Sequence, residues 1–298
     1  MLISAVIPTY KREDLLERAV NSLLNQEMPD NWSLEVIVVN DADEKLSSSA
    51  WQADSRVKLL HTHRAERCFA RNAGASMSRG QYLHFLDDDD MLLPGAYSAL
   101  ITTAGNADSV WTYGAYRVMD RSDKLEETVR PSVCGHIFAL ALAGGGIPHQ
   151  ASLISRKAFF ESGGWDPAFS VSEDQDLMLR LSCLGEFAYC EYEVAQIRRG
   201  IEGSGGDWSA TSRCWQMKVE KALSRPDCSK QLTASLRKHG SSSLRGQIAR
   251  KYIGSAVRHI RRGGIMLGLN RIVGAFRVCL PALLSPKLWA AITRGESR

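Results

Sequence analysis

The stretch Tyr82-Leu83-His84-Phe85-Leu86-Asp87-Asp88-Asp89-Asp90-Met91-Leu92-Leu93-Pro94 decides how the chain is read. An apolar run stops at four consecutive carboxylates. Like charges this close repel one another, and burial makes the ionised form costlier still. Such a cluster at the end of a buried strand is either a solvated acidic turn or a site neutralised by a cation. Oxygen ligands suit a hard divalent ion, Mg2+ or Mn2+.

Upstream of the tetrad, apolar runs alternate with helical patterns. Leu2–Ile7, Leu34–Val39, Val57–His61 and Tyr82–Leu86 read as strands. Glu13–Asn25, Ser48–Ala53 and Arg67–Met77 read as helices, and Pro94–Ala104 opens another with proline in its first turn. This alternation predicts an α/β fold with a doubly wound, mostly parallel sheet. Such sheets bind ligands beyond the carboxyl ends of their strands. Three polar clusters fall there: Pro8-Thr9-Tyr10, Asn40-Asp41 and the tetrad. Further on, Val110–Met119 and Ala151–Ser155 read as strands and Cys134–Ala143 as a short helix. Gly144-Gly145-Gly146 leads into His149-Gln150. Asp174–Leu184 reads as a helix with Ser172 as its N-cap.

The 298 residues and 44% hydrophobic content allow one sizeable core. The net charge of +4 hides an asymmetry. Residues 237–298 hold 13 Lys+Arg against Glu296 alone, leaving 24 basic and 32 acidic residues in 1–236. The body therefore carries −8 and the tail +12. The seven cysteines are scattered, with no CxxC and no zinc spacing, and are expected to be reduced thiols in a cytoplasmic protein. No secretory leader and no membrane-spanning run are expected from the sequence.

Taken in order, Ala5-Val6-Ile7-Pro8-Thr9-Tyr10, Val38-Val39-Asn40-Asp41, Ala70-Arg71-Asn72-Ala73-Gly74 and Phe85-Leu86-Asp87-Asp88-Asp89-Asp90 resemble the family 2 glycosyltransferases. Glu173-Asp174 extends the likeness, which covers about residues 2–206. The resemblance implies the GT-A fold, with residues 1–94 as the nucleotide-sugar half and 95–236 as the acceptor half. It also implies an inverting transfer from a nucleoside-diphosphate sugar, expected to be a UDP-sugar, to a hydroxyl acceptor.

Roles follow from the same likeness. Pro8, Thr9, Tyr10, Asn40 and Asp41 are expected to line the base and ribose pocket, Arg71 to meet phosphate, and Asp87 and Asp88 to contact the nucleotide sugar. Asp89, with Asp87, would hold the Mn2+ or Mg2+ ion, although neighbouring registers within Asp87–Asp90 stay open. Asp174 would be the general base that takes the acceptor hydroxyl's proton. Many members carry Asp where this chain has Asn40. Many also have an Arg followed by His where it has Arg198-Arg199-Gly200, so a third protein ligand is in doubt. His149, Gln150, Glu173, Arg198 and Arg199 are candidates for the acceptor or the diphosphate.

Residues 207–224 read as a helix with Trp208 and Trp215 on one face. In the tail, 244–262 and 265–284 read as amphipathic helices in which apolar and basic residues interleave. That pattern fits packing on the catalytic domain or contact with an anionic membrane. A lipid-linked or cell-surface oligosaccharide is the expected acceptor, with the protein peripheral on the inner membrane face. Nucleic acid is not expected as a partner. Two further readings stand beside this one. One is a non-catalytic nucleotide-sugar-binding scaffold. The other is an NAD-dependent Rossmann enzyme, disfavoured because Pro8-Thr9-Tyr10 stands where a GxGxxG turn belongs.

Overall fold

In this computed structural model, which describes residues 1–142, 146–198 and scattered positions between 214 and 273, β1 spans Leu2–Thr9 and is buried on both faces. Ile3, Ala5, Val6 and Ile7 are all inaccessible to solvent. A strand covered on both sides has no polar face to alternate, which is why this one reads as a continuous apolar run. Helix α1 (Glu13–Leu24) buries Leu16, Ala19, Val20 and Leu23, with Glu13 and Asp14 in its first turn, where the helix dipole favours acids. Strand β2 is Ser33–Asn40. The helix expected over Ser48–Ala53 is a single 3-10 turn, Ala50–Ala53. Strand β3 (Val57–His61), helix α2 (Arg67–Met77) and strand β4 (Tyr82–Phe85) follow.

The remaining elements of the first half of the fold lead into the second. Strand β5 is Met91–Leu92 and helix α3 is Ala96–Ala107. Pro94 was expected inside the first turn of α3 but precedes it. Gly95 takes a left-handed conformation at the N-cap (φ 76°), so the helix starts only after it. Strands β6 (Trp111–Met119) and β7 (Leu125–Val129) form a hairpin with a register shift between Val118 and Met119. Helix α4 (Phe138–Leu142) begins later than the expected Cys134, because Gly135 bridges Phe187 in antiparallel fashion. Strand β8 (Ser152–Ser155), helices α5 (Arg156–Ser162) and α6 (Glu173–Leu181) and strand β9 (Phe187–Arg198) complete the series. Ser172 occupies the N-cap position of α6 but has left-handed φ and caps nothing with its side chain.

The strands run in the order β3-β2-β1-β4-β8-β6-β9-β5, with β7 on the side of β6. The pairs β1–β2, β2–β3 and β1–β4 are parallel, as the alternating pattern predicts. Beyond β4 the sheet is mixed: β4–β8, β6–β8, β6–β7 and β5–β9 are antiparallel, whereas β6–β9 is parallel. The register of the parallel half fixes the functional rim. Thr9 pairs with Asn40, and Val6 with Phe85. Residues 8–10, 41 and 87–89 therefore leave the sheet side by side.

The chain divides into two compact units, 1–137 with 146–214, and 138–145 with 215–298. In the second unit Lys218 is buried and donates to the Ala141 carbonyl at 3.1 Å. Ile253 and Ala256 are buried, whereas Ile265, Met266, Leu269 and Val273 are exposed. Arg199, Trp208, Trp215 and most of the two expected tail helices lie outside the described residues. Among the described residues no helix is long and apolar enough to cross a membrane. Cys183 is engaged in a disulfide, against the expectation that all the thiols are reduced. Sequence spacing carries no information about which thiols the fold brings within bonding distance.

Candidate active site

A cleft of about 680 Å³ opens at the carboxyl ends of β1, β2 and β4. Pro8, Thr9, Tyr10, Asp41, Arg71, Asp87, Asp88 and Asp89 line it, together with Arg12, Arg64 and Arg67. The three polar clusters singled out in the sequence thus share one wall. The Asp41 amide donates to the Thr9 carbonyl at 2.9 Å, and the Leu86 amide to the Val6 carbonyl at 3.1 Å. These bonds continue the sheet ladder into the loops and hold them together.

Arg71 is the hub of the site. Only 3% exposed, it donates to Asp87 at 2.6 Å and to Glu173 at 3.2 Å. Its guanidinium lies 4.6 Å from the centre of the Trp165 ring. Burial works against the charged guanidinium, but Asp87 and Glu173 raise its pKa above the usual value. Arg67, one helical turn earlier on α2, reaches the same Glu173 oxygen at 3.4 Å. Asn72 does a different job. Its side chain accepts from the Trp165 amide at 2.9 Å and donates to the Trp165 carbonyl at 2.7 Å. That double bond pins the turn that sets the indole under Arg71.

The four aspartates have four environments. Asp87 accepts from Arg71 and, at 2.8 Å, from Gln150, with the His149 ring nitrogen 3.6 Å away. Burial pushes its pKa up, but Arg71 and His149 hold it well below the usual carboxylate range. Asp88 is buried and accepts from the Thr9 hydroxyl at 2.8 Å and from Arg12 at 3.1 Å. Burial pushes it up to about 6. Asp89 faces the cleft and accepts from Arg12 at 3.0 Å. Burial and the neighbouring Asp87 raise its pKa. Asp90 points inward, where it accepts from the Arg198 amide at 2.7 Å, and its own amide closes the turn onto Asp87. Burial and the charges of Asp87 and Asp89 raise it well above the usual range. The Arg198 side chain turns away, to Asp123.

Asn40 is fully buried and does not line the cleft. Its amide donates to the Glu44 carbonyl at 2.7 Å and its oxygen accepts from the Ala42 amide at 3.1 Å. Asp41 accepts from the Thr62 hydroxyl at 2.7 Å, the Ala65 amide at 2.7 Å and the Glu66 amide at 3.0 Å. It thereby holds a loop in which His63, Arg64 and Glu66 all have positive φ. His149 is buried, edge-on to Trp165, and Gln150 is half-buried beside Asp87. Asp174 heads α6 and accepts from the Gln175 amide at 2.8 Å. Burial and the adjacent Glu173 raise its pKa. Asp176, by contrast, is bound to Arg180 at 2.6 Å inside the core.

The sequence profile of Glycosyl transferase family 2 matches residues 4–159, more than half of the chain. The chain belongs to that family. Curated relatives of this family 2 chain include the GalNAc(5)-diNAcBac-PP-undecaprenol beta-1,3-glucosyltransferase of Campylobacter jejuni. It is 36% identical over 108 residues, 34% of each chain. The UDP-Glc:alpha-D-GlcNAc-diphosphoundecaprenol beta-1,3-glucosyltransferase WfgD of Escherichia coli is 27% identical over 131 residues, 44% of this chain and 51% of that one. The first relatives matched are spanned over only about a third of their length, from 28% to 34%. Among solved structures, residues 1–349 of Staphylococcus aureus TarS in complex with UDP-GlcNAc superpose with a TM-score of 0.61 at 12% identity. That match covers 94% of this chain and 93% of that one. The shared architecture is the GT-A fold.

Among the described residues no group of three or more His, Cys, Asp or Glu converges as a metal cluster. Asp87 and Asp89 nevertheless bring two carboxylates to the cleft. A hard ion that completes its shell with phosphate oxygens and water needs no more than one or two protein carboxylates. The all-oxygen donors and the crowding that raises Asp89 fit such an ion. Sequence reading missed Arg12, Arg64, Arg67 and Trp165. Arg67 was visible as the i−4 neighbour of Arg71; the others carry no sequence signal of the contacts they make.

Proposed function

We propose that this family 2 protein moves a sugar from a UDP-sugar to a hydroxyl of a lipid-linked saccharide, inverting the anomeric carbon in a single displacement. The observation that carries the reading is the one cleft shared by Pro8–Tyr10, Asp41, Arg71 and Asp87–Asp89. The two named bacterial relatives are glucosyltransferases whose names specify undecaprenol-diphosphate-linked saccharides, which supports the acceptor class. The WfgD name specifies UDP-Glc, which supports the nucleotide.

The half-exposed Tyr10 ring and Pro8 form an apolar edge for base and ribose. Asn40 is committed to the backbone, so Asp41 and the loop it holds present the polar contacts to the base. The half-exposed Arg12 and Arg67 offer the diphosphate their guanidinium groups, above the buried positive charge of Arg71. Asp89 would hold the Mg2+ or Mn2+ ion directly, and Asp87, whose oxygens are engaged by Arg71 and Gln150, would meet it through a metal-bound water. When bound, that ion acts as a Lewis acid that neutralises charge building on the leaving nucleoside diphosphate.

The acceptor hydroxyl loses its proton to Asp174. Glu173 is occupied by Arg67 and Arg71, so Asp174 is the carboxylate at the head of α6 left to act as base. The raised pKa of Asp174 makes it a better proton acceptor than an ordinary aspartate. The basic tail completes the proposal. Its exposed Ile265, Met266, Leu269 and Val273, flanked in sequence by Arg261, Arg262 and Arg277 and interrupted by Arg271, suit peripheral contact with an anionic inner membrane face.

A thermal-shift screen with Mn2+ across UDP-, GDP- and TDP-sugars tests the donor class. A ligand at 100 times its Kd stabilises by about 2.7 kcal/mol, enough to move the midpoint by several degrees. A UDP-sugar is expected to give the largest shift, reduced by EDTA. A larger shift with GDP- or TDP-sugars would overturn the nucleotide assignment.

A further inference from the structure

Arg12 closes α1 at its N-terminal side and extends back over the tetrad. One of its terminal nitrogens, Nη1, lies 3.1 Å from an Asp88 oxygen and 3.0 Å from an Asp89 oxygen. The side chain is half exposed and lines the cleft, so it is free to leave these partners without unpacking any core. The other hub arginine differs in this respect. Arg71 is buried, stacked on Trp165 and tied to Asp87 and Glu173. Among the described residues two arginines touch the tetrad's cleft-facing carboxylates: one is a fixture of the fold and the other is mobile at little cost.

Arg12 therefore holds the carboxylate that the proposed function gives to the metal. A guanidinium and a divalent ion cannot both take the cleft-facing side of Asp89 without strong repulsion. We infer that Arg12 is a displaceable counter-ion for Asp88 and Asp89, a positioning residue that makes cation binding depend on the donor. With the cleft empty, Arg12 neutralises the pair and competes with the ion. When the diphosphate enters, it offers the guanidinium a new anionic partner and releases Asp89. The ion and the nucleotide then bind cooperatively, each helping the other by the same factor. This inference rests on the assignment of Asp89 as a metal ligand.

Mn2+ binding, followed by the EPR signal of the free ion, tests it on the full-length protein with and without UDP. The wild type is expected to bind Mn2+ at least ten-fold more tightly with UDP present. Arg12→Gln is expected to bind Mn2+ about ten-fold more tightly than wild type without UDP, since two half-exposed ion pairs are worth roughly one such factor. Its UDP effect should shrink correspondingly. Arg64→Gln removes the same charge from the same cleft at a residue paired with Asp43 instead, and should change Mn2+ affinity by less than about three-fold. Equal affinities for wild type and Arg12→Gln, with UDP coupling intact, would overturn the role of Arg12 and leave the metal site standing. Equal gains from the Arg12 and Arg64 variants would overturn it too, by showing a general charge effect. No Mn2+ bound by either protein, even with UDP, would overturn the metal assignment itself and this inference with it. Circular dichroism of each variant excludes misfolding as the cause of any change.

Discussion

Arg71 donates to Asp87 across 2.6 Å, joining the second turn of α2 to the end of β4 at the floor of the cleft. The same guanidinium holds Glu173. Removing it leaves Asp87 without its arginine and Glu173 with the half-exposed Arg67 alone. Breaking a buried pair from one side typically destabilises by about 3–5 kcal/mol. Arg71→Ala is expected to lose stability in that range in urea unfolding. Arg71→Lys should lose less but still bind UDP poorly, because an ammonium cannot fork to two oxygens or stack on Trp165 in the same way. A loss under about 1 kcal/mol for Arg71→Ala would show that the hub is not needed.

Gly74 faces the sheet from α2. A methyl group there would sit 2.4 Å from a Val6 methyl and 3.0 Å from a Val39 methyl. Those valines are buried and cannot swing away. Gly74→Ala gains up to about 1 kcal/mol of helix propensity but meets an overpacking penalty of about 1–3 kcal/mol. A net destabilisation of roughly 1–2 kcal/mol is expected from thermal melts. A stabilised Gly74→Ala protein would mean that α2 lies farther from β1 than described.

His84 is buried between the Tyr97 hydroxyl at 2.8 Å and the Gln150 carbonyl at 2.9 Å. Burial lowers its pKa from 6.5 to about 4, so it stays neutral in the fold. Between those values the unfolded chain binds a proton that the folded chain does not. Stability from this group is therefore complete above pH 6.5 and falls as the pH drops toward 4, by about 3 kcal/mol. Urea midpoints at pH 7, 5.5 and 4 should decline more steeply for wild type than for His84→Gln. Parallel declines would assign the acid sensitivity to other groups.

Asp41 holds the 62–66 loop through three hydrogen bonds. Glu66, in that loop, has φ 72° and ψ 158°, a region that side chains avoid at a penalty of about 1–3 kcal/mol. Asp41→Ala removes the acceptor that enforces this shape and leaves two amides without it. UDP affinity by calorimetry is expected to fall ten-fold or more, while the far-UV spectrum stays unchanged. Asp41→Asn, which keeps one carbonyl acceptor, should fall between. Unchanged affinity in Asp41→Ala would mean that the loop's shape does not matter to the nucleotide.

Much of the parallel half was legible because its signals are local. Val57–His61 and Arg67–Met77 match their expected spans to the residue, since β-branched runs and 3.6-residue periodicity are written in consecutive positions. The second half was less legible. Strand β8 meets β4 about 70 residues upstream in antiparallel fashion, and nothing in either segment announces its partner. The candidate site divides the same way. Pro8–Tyr10, Asp41 and Asp87–Asp89 were singled out from their places at strand ends, and Arg71 from the resemblance of Ala70–Gly74 to the family motif. The inward turn of Asn40, the Arg12 contacts and the indole beneath Arg71 depend on side-chain directions set by long-range packing. Ser172, read as an N-cap from its residue type, was overruled by the left-handed backbone that its turn imposes.

Release of UDP from a panel of UDP-sugars in the presence of Mn2+, measured on wild type and Asp174→Asn, tests the central claim most directly. Loss of a general base typically lowers rates by about 10²–10⁴-fold. Wild type is expected to release UDP from at least one sugar, and Asp174→Asn to bind UDP within about two-fold of wild type while turning over at least about 100-fold more slowly. UDP bound tightly by wild type with no release from any donor, or full turnover by Asp174→Asn, would contradict it.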